Sequence, residues 1–177
     1  MLYRYLIAFG SNIEPRLTHI ESGLQNLQEH GQLISLSSIY HTKPVGPANQ
    51  AFLNGALILD STLEPALMME VLLAIEAKAG RVRLKRWDNR TLDLDIILIL
   101  DEKNQAVVSA TEHLNVPHPY MAERDFVLVP CAEIAGDWTY QNTNLKSLAD
   151  SCPKDNLLKK ESSAKNAKTR LSQRGKA

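Results

Sequence analysis

The chain contains only two cysteines, Cys131 and Cys152, in 177 residues. That is too few for the disulfide framework that holds together small secreted domains. It also lacks any apolar run near the roughly twenty residues a membrane-spanning helix requires. The opening stretch MLYRYLIAFGSN does not read as a leader: its apolar part is short and broken by Arg4, and no small-residue cleavage pattern follows. No internal repeat is visible, and there is no net charge, since 20 Lys and Arg offset 20 Asp and Glu. These absences exclude a disulfide scaffold and a helical membrane span, and the expectation is a reduced, cytoplasmic protein.

The zero net charge conceals an asymmetry. Residues 151–177 hold eight of the Lys and Arg but only Asp155 and Glu161 among the acids, so a mildly acidic body carries a basic tail. With 44% hydrophobic residues the body suffices for one globular domain with a real core, placed at 1–150. From about residue 153 the chain is rich in Lys, Ser, Ala and Asn without a periodic apolar face, which predicts a disordered or loosely helical tail.

Residues 2–9 read as a strand ending at Gly10-Ser11-Asn12, and Pro15 opens a helix with Leu17, Ile20, Leu24 and Leu27 on one side. Residues 33–40 predict a second strand, 42–50 a long loop with two prolines, and 52–60 a third strand. Ser61 to Glu64 has the spacing of a capping box, with Pro65 in the first turn and Leu67, Val71, Leu72 and Ile75 as the buried stripe. After the polar, cationic segment 80–90 comes the strand RTLDLDIILILD, residues 90–101. Residues 106–109 suggest a partner strand, 114–120 is rich in turn residues, and 126–135, interrupted by Pro130, suits a strand or a short helix equally. The order β-α-β-β-α-β through residue 100 predicts an α+β fold of ferredoxin-like type: an antiparallel-dominated sheet with helices on its faces and added C-terminal elements.

Within RTLDLDIILILD, strand alternation sends Leu92, Leu94, Ile96, Leu98 and Leu100 one way and Asp93, Asp95, Ile97 and Ile99 the other. Two ionised carboxylates on one face cost several kcal/mol each if buried unpaired, so that face must meet water, a cation or a basic partner. Just before them lie Arg81, Arg83, Lys85, Arg86 and Arg90, with Trp87 among them. A carboxylate pair beside a basic loop suits a polyphosphate held jointly by Mg²⁺ and guanidinium groups. The same residues could instead form a structural ion network.

Several collinear stretches, FGSN (9–12), YHTKPVGP (40–47), FLNGAL (52–57), GRVR (80–83), RWDNRTLDLDIIL (86–98), VPHP (116–119) and ERDFVLVP (123–130), resemble the 6-hydroxymethyl-7,8-dihydropterin pyrophosphokinase family of folate biosynthesis. The resemblance implies transfer of the terminal pyrophosphoryl group of ATP to the hydroxymethyl oxygen of the reduced pterin, releasing AMP, with two Mg²⁺ ions held by Asp93 and Asp95. It implies catalytic roles for Arg81, Arg90, Asp93 and Asp95, with Arg81, Arg83 and Arg90 on a lid over ATP. Glu76, Ile96, His118 and Arg124 would complete the ATP site. Thr42, Lys43, Val45, Phe52, Asn54, Trp87 and Phe126 would bind the pterin. Asn54 stands out on chemistry too, because an Asn inside an apolar strand is costly unless its amide is satisfied.

Three positions depart from what many members carry: Asp88-Asn89 replaces a small residue and a proline, Tyr120 replaces a basic residue, and Gly55 stands where alanine is common. The first predicts a looser lid, the second a lost or altered phosphate or adenine contact, and the third a softened strand. The expected partners are the two small-molecule substrates, for a monomer or weak dimer with no membrane contact. A rival reading is a non-catalytic relative that binds nucleotide or pterin and uses its tail on nucleic acid or an acidic partner. The tail's lack of interleaved aromatics argues against nucleic acid. A metal-dependent phosphohydrolase is a third reading.

Overall fold

The computed structural model describes residues 1–45, 48–80 and 89–160. Its centre is an antiparallel sheet with helices on both faces, the mixed α and β architecture expected from the sequence. Strand β1 (Tyr3–Ser11) is fully buried from Tyr5 onward, as a strand covered on both faces must be. It pairs on one side with β4 (Phe52–Ser61), from Tyr3 opposite Ser61 to Ser11 opposite Leu53, and on the other with β5 (Asp93–Leu100). The segment read as one strand over 33–40 is two, β2 (Gln32–Leu36) and β3 (Tyr40–Thr42), both paired to β4. Ser37 spans the break: its N–H donates to Ala56 O at 2.8 Å and its hydroxyl accepts from Ala56 N–H at 2.8 Å.

Helices α1 (Arg16–Leu27) and α2 (Pro65–Lys78) cover one face, burying Ile20, Leu24, Leu27, Met68, Leu72 and Ile75 against Ile7, Phe9, Leu57 and Leu59. Leu17 and Leu67 do not belong to these stripes and are 39% and 49% exposed. On α2 the row set by Met68, Leu72 and Ile75 turns Leu67 outward. The capping box does not form. The Ser61 hydroxyl donates to His30 O and accepts from Leu63 N–H, and Glu64 caps α2 without a side-chain bond.

The opposite face carries α3 (Asp125–Ala135), which resolves residues 126–135 as helix with Pro130 inside it, and α4 (Leu145–Ser151). These pack Leu128, Cys131, Ala135 and Leu145 onto Leu6, Ala8, Ala56 and Ile58. Within the segment read as a strand over 106–109, Ala106 bridges to Leu100 and Ser109 opens β6 (Ser109–Ala110), which pairs with β7 (Asn115–Val116); β8 (Thr139–Tyr140) pairs with β9 (Thr143–Asn144). The reading of the chain beyond 153 as a tail without fixed structure fails at its start. Residues 157–160 form β10 (Leu157–Lys160), which adds to the sheet edge beside β3.

A register shift between β1 and β5 places Leu98 opposite Leu6 and Ile96 opposite Ile7, so Ile97 is an extra residue on β5. The expected alternation therefore inverts past Ile97, with Leu98 and Ile99 exchanging faces. Leu92, Leu94, Ile96 and Ile99 pack under α1 and α2, whereas Ile97 and Leu98 pack under α3. Asp93 and Asp95 precede the bulge and keep one shared face, the α3 side.

Candidate active site

Cross-strand register assembles the floor of a cavity of about 370 Å³ on that side of the sheet. Asp93 lies opposite Gly10, Gly10 opposite Asn54, and Asn54 opposite Tyr40, while Asp95 lies opposite Ala8. Gly10 keeps the floor low, since a Cβ there would stand 2.4 Å from Asn54 Oδ1. The cavity runs from the acids on β5 to Thr42 on β3, with α3 forming the wall above.

At the β5 end, Asp93 and Asp95 line the cavity together with Arg90, Arg124, Tyr120 and Glu123. Arg90 donates from its guanidinium to Asp93 Oδ2 in a pair that is about one-fifth exposed on each side (18% and 19%). Its backbone is held by Asn12, itself buried, whose Oδ1 accepts from Arg90 N–H at 2.6 Å and whose N–H donates to Arg90 O at 3.1 Å. The Asn12 amide also donates to Gln50 O and to Asn89 Oδ1, and Asn89 donates to Asn49 Oδ1 at 3.0 Å. Asn89, expected to loosen the turn before the strand, is bound by side chains on two sides.

The Arg124 guanidinium lies 5.2 Å from the centre of the Tyr120 ring, a cation–π contact where a basic residue was expected in the tyrosine's place. The half-buried His118 ring meets Tyr120 edge-on. Burial, and then the positive charge of Arg124, outweigh the attraction of Asp93 and hold His118 down to about 4. The ring is therefore neutral at pH 7. Its Nδ1 accepts from Tyr120 N–H at 3.2 Å, which places the proton on Nε2.

At the β3 end, Phe52, Asn54, Thr42, Lys43, Val45 and Phe126 line the same cavity. The Asn54 amide, nearly buried, donates to Thr42 Oγ1 at 2.7 Å, which satisfies the polar group that the apolar strand would otherwise leave unpaired. A recess with an aromatic wall and a fixed amide suits a flat, polar, heterocyclic ligand.

Three of the described residues predicted for ATP, His118, Glu76 and Ile96, do not line this cavity, and His118 stands behind Tyr120, which does. Glu76 is buried on the α1 and α2 side, where its carboxylate accepts from the Leu94 N–H at 2.8 Å, between the two aspartates. Ile96 is buried in the core on that same side. Arg81, Arg83 and Trp87 lie outside the described residues, as does Asp88. Asn12 and Glu123 were given no site role from sequence, whereas Tyr120 was read there only as a departure that alters a phosphate or adenine contact. The signal for Asn12 was available, in a buried amide at the end of a strand running into a turn.

An antiparallel sheet packed with helices, with paired acids and arginines at one end of a cavity and a flat recess at the other, has the features of a phosphoryl-type transferase pocket, suited to an anionic and a planar ligand side by side. The comparisons identify the family. The model of 7,8-dihydro-6-hydroxymethylpterin-pyrophosphokinase matches residues 6–136. The chain is 45% identical over 131 residues to the 2-amino-4-hydroxy-6-hydroxymethyldihydropteridine pyrophosphokinase of Bacillus subtilis, covering 72% of this chain and 75% of that one. It is 38% identical over 135 residues to that of Synechocystis sp. (75% and 67%) and 37% over 142 residues to that of Haemophilus influenzae (78% and 86%). Among solved structures, wild-type Plasmodium falciparum HPPK-DHPS with pterin and p-hydroxybenzoate superposes with a TM-score of 0.66 at 14% identity, over 85% of this chain and 43% of that one. The chain thus spans less than half of that structure's length, and at this identity the likeness concerns the fold. The chain belongs to the 7,8-dihydro-6-hydroxymethylpterin-pyrophosphokinase family.

Proposed function

We propose that the protein transfers the pyrophosphoryl group of ATP to the hydroxymethyl oxygen of 6-hydroxymethyl-7,8-dihydropterin, giving AMP and the pterin diphosphate in folate biosynthesis. The observation that carries this reading is the single cavity that joins Asp93, Asp95, Arg90 and Arg124 to Asn54 and Phe126. One end suits a triphosphate and the other a pterin.

Among the described residues no three His, Cys, Asp or Glu side chains gather into a metal cluster. A carboxylate pair on one strand face still fits Mg²⁺, which takes one or two carboxylates and fills its remaining sites with phosphate oxygens and water. Asp93 and Asp95 would hold two such ions, and these, when bound, neutralise phosphate charge and lower the pKa of the acceptor hydroxyl. Arg90 and Arg124, joined by Arg81 and Arg83, grip the triphosphate bidentately and stabilise the charge that builds on its oxygens in the transition state. Neutral His118 donates from Nε2 to the nucleotide. Glu76 acts through the backbone of β5, fixing the strand between the acids. Asn54 and the Thr42–Val45 segment with Lys43 read the pterin edge, and Phe52, Phe126 and Trp87 cover its faces. Catalysis of this kind rests on positioning and electrostatics.

The sheet order β2/β3–β4–β1–β5 with antiparallel neighbours supports the ferredoxin-like description. No described helix is long and apolar enough to cross a membrane. The proposed setting is the cytoplasm, as a monomer or weak dimer. Assaying AMP from ATP with and without the pterin tests the reading. Pterin-dependent AMP is expected; phosphate release that ignores the pterin would favour a phosphohydrolase, and binding without turnover a non-catalytic relative.

A further inference from the structure

Asp125 is 1% exposed and stands between Arg124 and Phe126, both of which line the cavity. It does not line the cavity itself. Its carboxylate accepts four hydrogen bonds: Oδ1 from Phe126 N–H at 2.8 Å and from Asn156 Nδ2 at 2.9 Å, Oδ2 from Asn156 N–H at 2.8 Å and from Leu157 N–H at 3.3 Å. A buried carboxylate satisfied by this many donors is a fixed point, and at the first residue of α3 its charge also favours the helix dipole. Asn156 reaches the other wall as well. Its carbonyl accepts from Lys43 N–H at 2.8 Å, and its neighbour Leu157 pairs with Thr42, whose hydroxyl holds Asn54. One residue behind the cavity therefore joins the wall that carries Arg124 and Phe126 to the wall that carries Thr42 and Lys43. It lies twenty positions beyond the last residue matched by the family model, 136.

We infer that Asp125 and Asn156 are positioning residues for the pterin: their hydrogen bonds set the gap between Phe126 and the Thr42–Lys43 segment, and so the fit of a planar bicycle between them. The inference rests on the proposed pyrophosphoryl transfer. Neither side chain touches the ligand, so the effect must appear in pterin recognition before ATP recognition. Asn156→Asp removes the amide donor and sets a second carboxylate against Asp125. Asp125→Asn turns one acceptor oxygen into a donor facing N–H groups. Combined, the two changes restore only the side-chain amide–carboxylate contact with its roles exchanged, because the three backbone N–H groups that met the Asp125 carboxylate still face an amide.

The experiment measures kcat and the KM for pterin and for ATP in wild type, both single variants and the double variant, with thermal midpoints alongside. Each single variant is expected to raise the pterin KM roughly tenfold while the ATP KM moves less than about twofold, and the double variant is expected to recover only the part of the loss that comes from the side-chain contact. Should Asn156→Asp fail to fold, Asn156→Ala, which removes only the Nδ2 bond, is expected to raise the pterin KM about threefold with the ATP KM unchanged. Wild-type pterin KM in the folded single variants, or a parallel rise in both KM values, overturns the inference and leaves the proposed reaction standing. Wild type that forms no pterin-dependent AMP overturns both.

Discussion

Asn12 and Arg90 exchange two hydrogen bonds, Arg90 N–H to Asn12 Oδ1 at 2.6 Å and Asn12 N–H to Arg90 O at 3.1 Å, so a buried asparagine at the end of β1 fixes the residue that leads into the aspartate strand. Asn12→Ala is expected to lower kcat by about 10- to 100-fold through misplacement of Arg90. Its stability cost should be only about 1–3 kcal/mol from the orphaned donors and acceptors. Comparing kcat with the denaturation midpoint separates the two effects. A variant that loses stability but keeps kcat contradicts the assigned role.

Gly10 separates Asp93 from Asn54 across the sheet. Gly10→Ala would put a Cβ 2.4 Å from Asn54 Oδ1, displacing the amide from Thr42. The pterin KM should rise by roughly tenfold or more, with a smaller change for ATP. Equal effects on both substrates would mean that Asn54 does not read the pterin.

Gly55 was expected to soften β4, in which case Gly55→Ala would stabilise the protein. The structure reverses that expectation, because a Cβ at Gly55 would fall 2.3 Å from the Phe9 ring. Gly55→Ala is therefore expected to destabilise by about 1–3 kcal/mol through overpacking, measured by chemical denaturation.

His118 gives a pH signature. Its folded value, about 4, lies below the ordinary 6.5, so the unfolded state binds the extra proton first. The stability this group contributes is present above about 6.5 and is lost as pH falls toward 4. Thermal midpoints measured across that window should fall less steeply in His118→Asn than in wild type. The same variant should raise the ATP KM at pH 7, the outcome expected from the proposed contact between neutral His118 and the nucleotide.

The alternation of β5 exposed the acid pair because Asp93 and Asp95 are a local, period-two signal. The bulge at Ile97 was invisible, since it depends on how β1 and β5 pair and not on either strand alone. Leu17 and Leu67 misled because an apolar residue near a stripe resembles one in it. The edge strand at 157–160 was hidden for a related reason: Leu157 and Lys159-Lys160 carry little β propensity, and the pairing with Tyr40–Thr42 and the Asp125 carboxylate supply what the segment lacks. Likewise, the tie from Asp125 to Asn156 joins residues 31 positions apart and leaves no pattern along the chain. The pterin end was legible through Asn54, where a polar residue interrupts an apolar strand, whereas Asn12 passed unremarked inside FGSN.

The most direct test of the central claim is steady-state AMP formation from ATP, with and without 6-hydroxymethyl-7,8-dihydropterin and over a Mg²⁺ titration, in wild type, Asp93→Ala and Asp95→Ala. Pterin-dependent AMP is expected from wild type, with kcat lowered by about 10²-fold or more in each variant, the scale on which removal of one transition-state charge contact acts. Pterin-dependent AMP that survives both substitutions at wild-type rates would contradict the account.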